Sequence, residues 1–98
     1  MTDPAAELGL DQPWALSPSV QLRPEPFGAL AYHFGNRKLI FLKRPELVSV
    51  VRGLDGADDV RSALIGAGVP EASWPSYVAA LRGLAESDMI RARHEVAA

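Results

Sequence analysis

Two prolines and a glycine–asparagine pair, all within residues 22–43 (LRPEPFGALAYHFGNRKLIFLK), limit what this chain can fold into more than any other feature. Val20-Gln21-Leu22-Arg23 alternates apolar and polar residues, as a half-buried strand does. Pro24 and Pro26 cannot donate to a sheet ladder, so they predict a corner rather than a continuous central strand. Residues 29–34 and 38–42 read as hairpin arms closed by a two-residue Gly35-Asn36 turn. In that register Phe34 faces Arg37, Tyr32 faces Leu39 and Leu30 faces Phe41. Side-chain size then assigns Leu30, Tyr32, Phe34, Leu39 and Phe41 to the core face. Ala29, Ala31, His33, Lys38, Ile40 and Leu42 fall on the wetter face. The middle strand has a neighbour on each side, which leaves residues 37–42 as a free edge. Natural sheets protect such edges with proline or inward charge, and Leu39, Ile40, Phe41 and Leu42 provide neither.

Helical signals follow the strands. Pro45 suits a first helical position, and Leu47, Val50, Val51 and Leu54 share one face before Gly53 and Gly56 stop the run. Asp58 and Asp59 place negative charge at the start of a second helix lined by Val60, Ala63, Leu64 and Ala67 and ended by Gly68. Ser73 caps a third, with Pro75 in its first turn and Trp74, Tyr77, Val78, Leu81, Leu84 and Ala85 as its apolar stripe. Strands first and helices afterwards predict an α+β domain, one three-stranded antiparallel sheet packed on a three-helix unit. Residues 1–17 read as a flexible arm with Trp14 and Leu16 as its anchors, residues 18–93 as the domain and residues 94–98 as a tail.

Charge and composition exclude several function classes. Ten basic residues against twelve acidic ones leave a net charge of -2, without the basic face that phosphate contacts need. No cysteine is present, hence no disulfide framework, thiol nucleophile or thiolate metal site. No segment approaches the roughly 20 apolar residues that span a bilayer, and the expectation is a cytoplasmic protein without membrane contact. His33 and His94 lie far apart with no third ligand type beside them, so neither a metal nor a cofactor is expected. Ser17, Ser19 and Ser49 lack a paired base, and no residue reads as catalytic.

The run from Pro13 to Leu54, PWALSPSVQLRPEPFGALAYHFGNRKLIFLKRPELVSVVRGL, resembles the peptide chaperone family of mycofactocin biosynthesis. The resemblance rests on Trp14 with Leu16, the run 22–29, Tyr32-His33 and the strand Arg37-Lys38-Leu39…Phe41-Leu42, and it continues more loosely to Ser87-Asp88-Met89-Ile90. That family is similar to the D-type chaperone of pyrroloquinoline-quinone synthesis and to the recognition domains of ribosomal-peptide maturation enzymes. It implies a winged-helix-like fold that binds the leader of a precursor peptide and presents it to a radical-SAM maturase. Arg44 departs from the small capping residue expected before Pro45.

Strand addition at the free edge is the mode that both the residues and the resemblance point to. The candidate peptide-binding residues are Arg37, Lys38, Leu39, Ile40, Phe41 and Leu42 on the edge. The resemblance places the guest between that edge and the third helix, which adds Tyr77, Leu81 and Ala85 as groove walls, with Trp74, Val78 and Leu84 as ordinary core. Arg37, Lys38, Lys43 and Arg44 bracket the edge with positive charge suited to an acidic guest. The alternative is a winged-helix DNA-binding regulator. Its third helix would need several basic or amide side chains, and residues 73–88 offer Arg82 alone against Glu86 and Asp88.

Overall fold

In a computed structural model, which describes residues 9–93, the chain is an α+β domain of five strands and three α-helices. Strands β2 (Val20–Glu25), β3 (Gly28–His33) and β4 (Leu39–Leu42) form an antiparallel sheet in that order. Helices α1 (Pro45–Gly53), α2 (Val60–Gly66) and α3 (Trp74–Glu86) follow. A second, two-stranded sheet pairs β1 (Trp14–Leu16) with β5 (Ile90–Ala92), joining the two ends of the described chain. Trp14, set by sequence in an N-terminal arm, is thus a strand residue and is fully buried in the core. The expected tail, 94–98, lies outside the described residues.

Local sequence explains each boundary. Pro45 opens α1 although its N-cap, Arg44, makes no side-chain capping bond. At α2 the Asp59 carboxylate accepts the Ser62 N–H at 2.8 Å, and that bond holds its carboxyl below the ordinary value. Ser73 occupies the N-cap of α3 without a capping bond of its own. Pro24 does not break β2 at a corner, because β2 is an edge strand and pairs through to Glu25 opposite Gly28. Gly28 has φ +149, and a Cβ there would stand 2.1 Å from the Leu42 carbonyl oxygen, so β3 begins where only glycine fits.

The hairpin register is the expected one, with Tyr32 opposite Leu39 and Leu30 opposite Phe41. Its turn is wider than two residues. The Arg37 N–H donates to the His33 carbonyl at 2.8 Å, and the positive φ falls on Arg37 (61°) rather than on Gly35 or Asn36.

The two faces of this sheet are the reverse of those that size predicts. Ala29, Ala31, His33 and Leu42 are buried and Ile40 packs against the core, whereas Phe34, Leu39 and Phe41 are 56%, 56% and 58% exposed. Alternation fixes which residues share a face, not which face is covered. The helices approach the small side, where Ala29 and Ala31 let α1 lie close against β3. The core is completed by α1, α2, α3 and the β1–β5 clasp: Leu47, Val50, Val51, Leu54, Leu64, Leu81, Met89 and Ile90.

Candidate functional site

The edge formed by β4 differs from the edge formed by β2 in a way the hydrogen bonds define. His33 N–H donates to the Lys38 carbonyl at 3.0 Å, and Phe34 N–H donates to the Ser19 carbonyl at 2.8 Å. Donors alternate along a strand, so Ile40 and Leu42 turn their N–H groups toward β3, and Leu39 and Phe41 turn theirs to the open side. On β2 the same alternation places Pro24 at an outward position, where the donor is missing, with charged Arg23 and Glu25 on either side. One edge is blunted and the other is left complete.

Two sets of contacts flank β4 and reach the two ends of α3. At the hairpin end, His33 Nδ1 accepts the N–H groups of Gly35 (2.9 Å) and Asn36 (3.1 Å), so the ring hydrogen sits on Nε2, 3.0 Å from Asp88 Oδ2. Asn36 Nδ2 donates to the Ser87 carbonyl at 3.1 Å while its Oδ1 accepts the Lys38 N–H at 2.9 Å. At the other end the Arg44 guanidinium lies 5.4 Å from the centroid of Tyr77. The strand therefore runs beside α3, antiparallel to it. Gly35 belongs to the same device, since a Cβ there would come within 2.9 Å of the imidazole.

Of the residues expected at the site, Leu39 and Phe41 are exposed on the outer face, Ile40 and Leu42 are turned inward, and Arg37 and Lys38 are exposed at the hairpin end. Tyr77, Leu81 and Ala85 lie on the buried stripe of α3, at 7%, 0% and 9% exposure. Leu84 is core, as expected, whereas Trp74 and Val78 are only partly buried. The His33–Asn36–Asp88 clamp carried no sequence signal beyond a histidine just before Gly-Asn. Missed too is the outer face itself: Phe27 packs edge-on against Phe41 at 5.7 Å and Tyr32 against Phe34 at 5.2 Å. A shallow hollow of about 500 Å³ on that face is lined by Gln21, Arg23, Leu30, Tyr32 and Leu39.

The arrangement offers main-chain donors, apolar surface and positive charge. Among the described residues no group of three or more His, Cys, Asp or Glu could hold a metal ion. No described helix is long and apolar enough to cross a membrane. A hollow between α1 and α2, about 430 Å³ and lined by Ser49, Gly53, Asp58 and Ser62 among others, lies away from this edge.

The sequence model of the peptide chaperone MftB family matches residues 13–91. The chain belongs to that family. It is 49% identical over 86 residues to the peptide chaperone MftB of Mycobacterium tuberculosis, covering 88% of this chain and 79% of that one. It is 51% identical over 80 residues to the same-named protein of Mycobacterium ulcerans (82% and 73% covered). For that of Mycolicibacterium smegmatis the figures are 50% over 80 residues (82% and 78%). No solved structure matches the chain. The family is a family of peptide chaperones rather than enzymes, and the DNA-binding alternative finds no support in it. The surface agrees, because the exposed side of α3 carries Arg82 against Glu86.

Proposed function

We propose that this chaperone binds the leader of a ribosomally made precursor peptide as an added strand on β4 and delivers it to a radical-SAM maturase of mycofactocin biosynthesis. The observation that carries the reading is the complete, unblunted β4 edge, with the N–H and C=O groups of Leu39 and Phe41 turned outward, in a member of a peptide chaperone family. Those two residues exchange about four main-chain bonds with a guest, at ~1 kcal/mol net each. Association costs at least as much, so side chains supply the remaining affinity. Holding the leader on a rigid edge gives the maturase its substrate at high effective concentration.

The test is binding of a synthetic leader by fluorescence anisotropy, followed by a reconstituted maturation assay. Phe41→Pro removes an outward donor without touching the ladder to β3, and leader binding is lost while the domain stays folded. Modification of the precursor rises as the chaperone is titrated in, and the chaperone alone modifies nothing. Unchanged affinity in folded Phe41→Pro removes strand addition at β4, and full modification without the chaperone removes the delivery role.

A further inference from the structure

We infer that the exposed outer face of the sheet is the surface that reads the guest's side chains, so that the recognized segment carries large apolar residues at alternate positions with small ones between them. The inference rests on the strand addition proposed above and goes beyond it in naming the peptide chemistry.

The argument is one of coupled periodicity. Along a strand the direction of the N–H and the face of the side chain both alternate with period two. On β4 the residues with outward donors, Leu39 and Phe41, are also those with side chains on the outer face, 56% and 58% exposed. Guest residues paired with them share that face, with Cβ atoms roughly 5 Å away. There they meet Leu39 and Phe41, with Phe27 packed edge-on behind Phe41 and Leu30 and Tyr32 on the neighbouring strand. The intervening guest residue points to the helix side, as Ala29 and Ala31 do on β3, toward the α3 stripe of Tyr77, Leu81 and Ala85, at most 9% exposed. The guest thus continues the pattern of β3, which places Ala29 and Ala31 inward and Leu30 and Tyr32 outward. Singly exposed apolar residues are ordinary, but a contiguous patch beside an open edge is surface waiting for a partner.

The experiment selects a displayed library of random ten-residue peptides on the immobilized full chain, with Phe41→Thr and Phe41→Pro as parallel baits. Threonine keeps both the backbone donor and the strand propensity, and a side chain this exposed contributes little to the melting temperature. The expected pool has aliphatic or aromatic residues at i and i+2 and Gly, Ala or Ser between them. The best clone binds Phe41→Thr roughly tenfold more weakly, as partial burial of one phenylalanine implies. Clones that bind Phe41→Thr unchanged but fail on Phe41→Pro, or that place adjacent large residues along the strand, leave strand addition standing and overturn the outer-face reading. Clones indifferent to Phe41→Pro overturn strand addition itself. A dimer of the free protein in sedimentation that Phe41→Thr dissolves, with no peptide pool recovered, assigns the face to a second copy and overturns the inference.

Discussion

His33 sits on the covered face of a central strand, 5% exposed, where a histidine needs a partner for each ring nitrogen. It has them: two backbone N–H groups on Nδ1 and the Asp88 carboxylate on Nε2. One side chain therefore shapes the β3–β4 turn and fastens it to the end of α3. The Arg37 φ of 61° is tolerated within that arrangement, since the Arg37 N–H closes on the same residue's carbonyl. Replacing His33 by alanine leaves a cavity and frees those turn donors. The expected loss is about 1–3 kcal/mol in urea unfolding, together with faster amide exchange at Gly35 and Asn36. Unchanged exchange at those two amides would show that the ring does not hold the turn.

At the level of elements, β4 has an inward and an outward half, and proline separates them. Ile40→Pro removes a donor that faces β3 and costs about 3 kcal/mol or more of stability, where Phe41→Pro costs far less; equilibrium unfolding of the two variants checks this, and equal destabilization would reverse the hydrogen-bond assignment. Which residues pair in the β3–β4 hairpin is legible from the chain, because turn residues and period-two alternation fix the register, whereas the β2–β3 pairing through Pro24 is not. The three helices are equally legible, since Pro45, Asp59, Pro75 and the apolar stripes mark their starts and faces. The covered face is not. Residue size puts Phe34, Leu39 and Phe41 inside, yet the interior needs small residues where a helix crosses β3, and a well-bonded histidine is as acceptable there as an alanine. The edge itself is legible from the chain, whereas its ties to α3 depend on Asp88 and Ser87, remote in sequence. Strand β5 is illegible for the same reason: three residues acquire their conformation only from Trp14–Leu16 at the other end of the chain.

Across the whole molecule, charge is nearly balanced, but its distribution is not. Arg37, Lys38, Lys43 and Arg44 are all exposed at the two ends of β4, and none of them is in an ion pair among the described residues. Such a rim acts on encounter more than on the bound state. Reversing Arg37 and Lys38 to Glu is expected to slow association with an acidic leader about tenfold at low salt, to flatten its salt dependence and to leave dissociation nearly unchanged. Stopped-flow measurements across a salt series check this, and a preserved slope would reduce the rim to a solubility device. The β1–β5 clasp has a consequence of a different kind. With Trp14 directly opposite Ala92, the first and last strands of the described chain lie side by side, on a sheet separate from the one whose β4 edge is proposed to take the guest, while Leu10 and Gln12 ahead of them accept main-chain bonds from Arg61 and Val60 of α2. Splicing the domain into a loop of another protein therefore has to carry residues 10–12 and the clasp along as part of the fold, and it leaves β4 on its own sheet. The proposed recognition edge is in that sense portable: carried with its clasp, it travels as an insert to wherever a peptide has to be held beside a catalyst.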